Sequence, residues 1–124
     1  MEGKGKVRRM DLTDGERRFE ELVAEALDGL PDWVAERLDN VEVLIEDHAH
    51  DPHLLGVYEG IPLTRRGLDY AGVVPDRITL FRRNIEKQAA GEESLKRLIR
   101  HTVVHEIAHF FGISDERLLE IDRY

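Results

Sequence analysis

The sequence contains no cysteine among its 124 residues, and this absence excludes several classes of protein. Disulfide-stabilised scaffolds, zinc sites with thiolate ligands, iron–sulfur clusters and thiol catalysis all require cysteine. The absence is consistent with a reducing compartment. Any chemistry that the chain carries must therefore use other residue types.

Long apolar runs and an excess of positive charge are also missing. No run approaches the roughly 18–20 apolar residues that cross a bilayer, and residues 1–10 (MEGKGKVRRM) lack the apolar region of a secretory signal. The formal net charge of −8 at pH 7 argues against a main partner with a phosphate backbone. We therefore expect a soluble, cytoplasmic protein with no nucleic-acid and no membrane partner.

The apolar content and the length of the chain are sufficient for one apolar core. Apolar residues make up 41% of the chain, and 124 residues leave room for a single domain. Residues 1–12 are predicted to form a flexible basic tail, and residues 13–124 to form the domain.

The pattern along the domain predicts helices, then strands, then helices again. Thr13 followed by Glu16 forms a capping box, and apolar spacing continues this helix from about 14 to 28. The other predicted elements are a short helix ending near 38, strands at 41–46, 54–59 and 78–81, and helices at about 84–90, 94–111 and 114–121. A long loop at about 61–77 joins the second and third strands. This order predicts an α+β fold, with Trp33 as a core anchor.

One stretch carries a distinctive chemical pattern. His105, Glu106 and His109 form the sequence H-E-x-x-H on the predicted long helix. Residues four apart on a helix lie about 40° apart around its axis, so the two imidazoles face one point. The Glu106 carboxylate is offset by about 100° to the same side. From there it can hydrogen-bond a metal-bound water without displacing it.

The surroundings of this motif favour a metal site with a third ligand. The second half of the helix is otherwise apolar, and burying three polar groups on one stripe costs several kcal/mol unless they are paired or bind a metal. Gly112 can adopt the left-handed conformation that ends a helix, which lets Asp115 return toward the metal. The predicted zinc ligands are therefore His105, His109 and Asp115, with one position left for water.

Each of these residues also has a structural alternative. The two histidines could be hydrogen-bonded core residues, and Glu106 could be an ion-pair partner. Asp115 lies between Ser114 and Glu116 in what is also an ordinary helix start, with a serine cap and acids in the first turn. The joint pattern H-E-x-x-H-x-x-G-x-x-D favours the metal site over these alternatives.

The run from His105 to Asp115 resembles the extended zinc motif of the zincin metallopeptidases in its Asp-terminated form. Residues 55–60 and 75–78 resemble segments of a small bacterial minimal-zincin family, whose members are described as candidate zinc metallopeptidases. The resemblance implies Zn²⁺ bound by the two histidines and Asp115, Glu106 as general base, and peptide or protein substrates. It also implies a small mixed β-sheet packed with helices, with the active-site helix beneath it.

The sequence departs from the larger metzincins, which carry a methionine-containing turn beyond the zinc motif. The only methionines here are Met1 and Met10. The oxyanion stabiliser that amide hydrolysis needs is not identifiable, and Tyr58, Tyr70 and Tyr124 are the candidates.

Three functional hypotheses stay open. The first is a zinc-dependent peptidase in which a metal-activated water attacks the peptide bond, with an edge strand at about 54–59 aligning the peptide by strand addition. The second is a zinc-binding module with little or no peptidase activity, acting through a protein partner. The third is a zinc-free interaction domain. Substrate identity and oligomeric state do not follow from the sequence.

The remaining histidines have no assigned role. His48, His50 and His53 lie in an acidic stretch that favours a solvated loop over adventitious metal binding. His101, one helical turn before the motif, could be a fourth ligand that closes the site, or a partly exposed neighbour.

Overall fold

The elements of the chain follow in the predicted order, with two helices first, then three strands, then two further helices. The structure, a computed structural model, describes residues 13–66 and 75–117. The elements are α1 (Asp14–Asp28), α2 (Asp32–Arg37), β1 (Val41–Glu46), β2 (Gly56–Glu59), one turn of 3₁₀-helix (Leu63–Arg65), β3 (Asp76–Phe81), α3 (Arg82–Gln88) and α4 (Glu92–Phe110). The predicted α+β class is confirmed.

Helix α1 begins where its capping residues predict. The Glu16 N–H donates to Thr13 Oγ1 at 3.1 Å, and the Thr13 N–H donates to Glu16 Oε1 at 2.8 Å. These reciprocal bonds satisfy two backbone donors that the first turn leaves unpaired. The apolar face predicted for this helix is buried, through Phe19, Leu22 and Val23.

The three strands form one mixed sheet in the order β1–β3–β2. Strand β1 runs parallel to β3, whereas β2 runs antiparallel to it. The small mixed sheet expected from the resemblance is therefore present. Strand β2 lies at an edge of this sheet, where α4 packs against it.

The core lies between the sheet, α1 and α4. Helix α4 contacts α1 on one side and β2 and β3 on the other. The buried apolar side chains that pack together here are Phe19, Leu22, Val23, Val34, Ile78, Leu80, Ile85, Ile99, Val103 and Ile107. Because each such side chain contributes about 1.5–3 kcal/mol on burial, the three residues from α4 fix this helix firmly against the sheet.

Several predicted boundaries move by about two residues. Strand β2 begins at Gly56 because the Leu54 N–H donates to the Asp51 carbonyl in a turn. Helix α3 begins at Arg82, and the side-chain amide of Asn84 donates to the carbonyls of Asp51 and Leu54. Such contacts with a distant loop leave no trace in local apolar periodicity.

Trp33 does not anchor the core, contrary to the prediction from sequence. Its side chain is 63% exposed, and its ring lies 5.8 Å from that of Phe111. Helix α2 is six residues long and buries Val34 instead. Val104 is also exposed, at 46%, because α4 meets its neighbours through the face that carries Val103 and Ile107.

Part of what the sequence predicts lies outside the described residues. This applies to the tail at 1–12, to Tyr70 and Tyr124, and to residues 118–121 of the predicted final helix; of its described residues, 115–117 are helical. Among the helices that the structure describes, none is long and apolar enough to cross a membrane.

Candidate metal centre

Helix α4 ends in a turn that reverses the chain toward the motif histidines. Gly112 has φ +89°, the left-handed conformation predicted for it. The Gly112 N–H donates to the His109 carbonyl and the Ile113 N–H to the Ala108 carbonyl, both at 2.9 Å. This pair of bonds defines a Schellman motif. The turn brings Asp115 back alongside the helix.

Three side chains converge beside this turn and form the His–His–Asp cluster (His105, His109 and Asp115). Asp115 Oδ1 lies 3.1 Å from His105 Nε2 and 3.0 Å from His109 Nε2. One ligand atom from each residue lies within 4.8 Å of the others. The structure thus brings together the three side chains that the sequence singled out as ligands.

The spacing and chemistry of the cluster fit one zinc ion. Ligand atoms about 2.0–2.1 Å from a tetrahedral zinc are separated from each other by about 3.3 Å. The separations of 3.0 and 3.1 Å are close to that value. Two imidazole nitrogens and a carboxylate oxygen are donors that zinc accepts. The Asp115 side chain is 74% exposed, so the cluster is open to solvent on that side.

The same turn orients the imidazole of His109. Its Nδ1 lies 3.0 Å from the carbonyl oxygen of Ile113. A carbonyl only accepts, so Nδ1 carries the hydrogen and the neutral ring has its lone pair on Nε2. That lone pair faces Asp115 Oδ1, another acceptor, at 3.0 Å. Two acceptors so close require a cation, either a proton or a metal ion.

Glu106 lies beside the cluster in a buried environment. Only 6% of it is exposed, and burial raises the pKa of its carboxyl group above the ordinary value. The neighbouring imidazoles of His105 and His109 and a backbone hydrogen bond from Tyr58 lower this pKa, but burial, with the nearby Asp115 carboxylate, outweighs them. A carboxyl group with increased proton affinity beside a metal site is suited to general-base chemistry.

Among the strands that the structure describes, β2 has a partner on one side only, and its other edge, here called the free edge, runs past Glu106. The Phe81 N–H donates to the Leu55 carbonyl at 2.9 Å, and β2 pairs antiparallel with β3. Hydrogen-bonded pairs alternate with unbonded ones in such a ladder. The backbone N–H and C=O groups of Gly56 and Tyr58 therefore point away from β3, toward the free edge.

Strand β2 approaches α4 closely because Gly56 has no side chain. A Cβ there would lie 2.9 Å from Thr102 Cγ2 and 3.4 Å from Glu106 Cγ. A cavity of about 210 Å³ opens beside this contact, lined by Leu54, Leu55, Gly56, His101, Thr102, His105 and Glu106. A larger cavity of about 400 Å³ lies between α1 and α4, but its lining contains no member of the His–His–Asp cluster.

The structure leaves the other candidate residues away from the cluster. In the described ranges, His105, His109 and Asp115 are the only group of three metal-ligating side chains close enough to share an ion. His101 is exposed, and its ring centroid lies 6.0 Å from that of His105. The loop with His48, His50 and His53 contributes no ligand to this group, and these three side chains are exposed.

Tyr58, a candidate oxyanion stabiliser, has its hydroxyl group bound elsewhere. It donates to Asp76 Oδ2 at 2.6 Å. Asp76 itself is 2% exposed and also pairs with Arg66. The sequence pattern misses this group, since Asp76 follows Pro75 and has the appearance of a turn residue. The one signal in the sequence that could have identified this group is the position of Asp76, an acidic residue at the start of a strand whose other residues are mostly apolar.

Comparison with known proteins places the chain in a family. The model of the family described as zincin-like metallopeptidases matches residues 38–124, a range that includes all three strands and α4. No curated protein matches the sequence. The family implies a metal, typically zinc, and the His–His–Asp cluster has donors that suit one. The resemblance inferred from the motif is confirmed, and the chain belongs to the zincin-like metallopeptidase family.

Proposed function

We propose that this protein is a zinc-dependent peptidase in which His105, His109 and Asp115 hold the metal and Glu106 is the general base. The observation that carries the proposal is the convergence of two Nε2 atoms and Asp115 Oδ1 beside a buried carboxyl group. Family membership supports the class of reaction.

Glu106 supplies the proton transfers of this reaction. A bound Zn²⁺ would supply an activated water and polarise the carbonyl group under attack. Glu106 takes the proton of the attacking water on a carboxylate oxygen, and its raised proton affinity favours this step. It then donates the same proton to the nitrogen of the leaving amine. Burial keeps this carboxyl group out of bulk water between the two steps.

The free edge of β2 is the element that would align a peptide substrate. The N–H and C=O groups of Gly56 and the C=O group of Tyr58 point away from β3, whereas the Tyr58 N–H is bonded to Glu106. The side chain of Glu106 lies against the same strand. An extended peptide that pairs with this edge would pass beside Glu106. The cavity next to Gly56 would then accept one substrate side chain.

A specific observation favours the second function, a zinc-binding module that acts through a protein partner. The Tyr58 hydroxyl group donates to Asp76 instead of facing the cluster. Tyr58, the one tyrosine in the part of the chain that the structure describes, is therefore not placed to stabilise an oxyanion. Without such a donor, hydrolysis loses about 10²- to 10³-fold in rate. Both functions share the metal, and they differ in turnover.

A cleavage screen with matched metal states tests the peptidase proposal. The full chain is stripped of metal, reloaded with one equivalent of Zn²⁺, and incubated with an unbiased peptide library analysed by mass spectrometry. We expect cleavage in the reloaded protein and none in the stripped protein. Stoichiometric zinc without cleavage would support the zinc-binding module, and no zinc binding would exclude both.

A further inference from the structure

A buried polar group links the end of β2 to the start of β3. The Tyr58 hydroxyl donates to Asp76 Oδ2 at 2.6 Å, and the Arg66 guanidinium pairs with the same oxygen. Arg66 Nε also donates to the Ile61 carbonyl at 2.8 Å. We call Tyr58, Asp76 and Arg66 the tyrosine clamp. Asp76 is 2% exposed, and a polar group buried to this degree is costly unless it is hydrogen-bonded, as it is here by these two partners.

The tyrosine clamp rests on the metal-binding helix. The Tyr58 ring meets that of Phe110 edge-on, with centroids 6.0 Å apart. The Arg66 guanidinium lies over the same ring, 5.4 Å from its centroid. Phe110 directly follows His109 and is 2% exposed. The clamp therefore fixes Tyr58 relative to both β3 and α4.

The backbone of Tyr58 in turn acts on Glu106. The N–H of Tyr58 points away from β3, and a hydrogen bond from this backbone lowers the pKa of the Glu106 carboxyl group. Gly56, two residues earlier, is close enough to α4 that an added Cβ would lie 3.4 Å from Glu106 Cγ. The Glu106 side chain therefore lies against the segment of β2 that runs from Gly56 to Tyr58.

An edge strand of four residues needs such a restraint. Within residues 13–66 and 75–117, β2 pairs with β3 along one side only, and a short strand with few contacts opens more easily than the core. If Tyr58 moved with an opening strand, the amide that faces Glu106 would move as well. The carboxyl group would then lose a donor that orients it beside the His–His–Asp cluster.

We propose that Asp76 is a positioning residue for the general base. Acting through the Tyr58 side chain, it holds β2 so that the Tyr58 amide keeps the Glu106 carboxyl group oriented beside the His–His–Asp cluster. That Glu106 is a general base rests on the proposed function. That the Tyr58–Asp76 bond holds β2 in place does not, because it can be measured in the metal-free protein.

Amide hydrogen exchange of the full-length, metal-free chain, followed by NMR, tests the restraint directly. The amide of Tyr58 reports the bond to Glu106, and the amide of Val57 reports the ladder with β3. Tyr58→Phe removes the phenol oxygen and keeps the ring on Phe110. We expect exchange at position 58 to speed up about three- to tenfold while position 57 changes less than about twofold, the effect of losing one restraining hydrogen bond.

Two further variants complete this test. Glu106→Ala removes the acceptor and should speed exchange at position 58 by about tenfold or more, because bonds to carboxylates are the stronger ones. Glu59→Gln, on the opposite face of the same strand, should change neither amide. If Tyr58→Phe increased the exchange rates of both amides equally, the tyrosine clamp would stabilise β2 as a whole and not the bond to Glu106. This result would overturn the proposal.

A variant of Asp76 and kinetics connect the restraint to catalysis. Asp76→Ala removes the acceptor of the Tyr58 hydroxyl, whereas Asn would keep an oxygen that accepts it. If Asp76→Ala folds, it should reproduce the exchange pattern of Tyr58→Phe; if it does not fold, Tyr58→Phe alone decides. In peptide cleavage, Tyr58→Phe should lower kcat about three- to tenfold with zinc content unchanged, since the base is displaced. A rise in KM can accompany this loss, because β2 also aligns the peptide. A change in KM alone would contradict the positioning role.

These readouts separate the two proposals. An inactive wild type with the expected exchange pattern would contradict the peptidase function and leave the restraint established. An active wild type whose position 58 exchanges as fast as an unbonded amide would contradict the restraint and leave the peptidase function standing.

Discussion

The side chain of Thr64 lies against the α-carbon of Gly112, so closely that a Cβ on Gly112 would be 2.3 Å from Thr64 Oγ1. Thr64 belongs to the 3₁₀ turn at Leu63–Arg65 that follows β2. Gly112 is the left-handed residue that ends the helical course of α4. The segment after β2 therefore packs directly on the turn from which Asp115 returns to the histidines.

Removal of either histidine should abolish tight zinc binding. His105 and His109 each direct Nε2 at Asp115 Oδ1, so each Ala variant leaves only two ligands. We expect affinity to fall by more than the roughly 10–100-fold that follows loss of a residue supporting a ligand. His101→Ala is the control, because His101 is exposed and outside the cluster. Zinc titration with a chromophoric competitor measures all three; a large loss in His101→Ala would revive the fourth-ligand alternative.

Asp115 should matter to zinc affinity far more than its neighbour Glu116. Ser114 already caps the following turn, since its Oγ accepts from the Arg117 N–H at 3.2 Å, so Asp115 is not required as the cap. As a helix-start acid alone, Asp115→Ala would cost only about 0.5–1 kcal/mol of stability and leave zinc in place. As a third ligand, its loss should weaken zinc binding at least tenfold more than Glu116→Ala. Equal affinities would show that the carboxylate is structural.

The local part of this architecture could be predicted from the sequence. The capping box at Thr13, the helix carrying His105 and His109, and the left-handed turn at Gly112 each depend on residues within a few positions of one another. The mixed sheet followed from the family resemblance instead. Helical geometry fixed the meeting of the two imidazoles, and the glycine fixed the reversal toward Asp115.

The features of the fold and of the site that could not be predicted depend on contacts between segments that are distant in the sequence. The bond from Tyr58 to Asp76 joins residues 18 apart, and the packing of Thr64 on Gly112 joins a loop to the end of a helix. No periodicity reports either contact. Trp33 shows the converse error: an aromatic side chain beside apolar neighbours suggests a core position, yet the short helix α2 turns it outward.

Glu106→Gln should separate metal binding from catalysis. Gln is nearly isosteric and Glu106 is outside the group of three ligands, so zinc content should be retained. Because Gln cannot accept the proton of the attacking water, peptide cleavage should fall by about 10²- to 10⁴-fold. Glu116→Gln serves as the control and should retain full activity. Equal cleavage by wild type and Glu106→Gln would mean that another group, or a contaminant, performs the reaction.

The metal-free protein should show the cost of burying Glu106 as a pH-dependent stability difference. Burial raises the pKa of this carboxyl group above 4.5 in the folded state, so the folded chain holds the proton more tightly than the unfolded chain. Wild type therefore loses stability relative to the non-titrating Glu106→Gln as pH rises from the unfolded pKa through the folded one. We expect Glu106→Gln to be the more stable at neutral pH, and the difference to disappear below the ordinary pKa. Urea unfolding across this pH range measures it, with Glu116→Gln as an exposed control; a constant difference would contradict the shift.

Gly112→Ala should damage the fold and the metal site together, whereas Gly91→Ala at the other end of α4 should damage neither. At Gly112 the backbone has φ +89°, and an added Cβ would lie 2.3 Å from Thr64 Oγ1. Left-handed strain and this overlap should cost about 1–3 kcal/mol of unfolding free energy. The turn can relieve the overlap only by moving, which displaces Asp115 and weakens zinc binding.

At Gly91 a Cβ would meet nothing within 4 Å, so Ala should change stability by less than about 0.5 kcal/mol. Chemical unfolding and zinc titration of the two variants check both effects. Full zinc affinity in a destabilised Gly112→Ala would show that Asp115 is positioned independently of the turn.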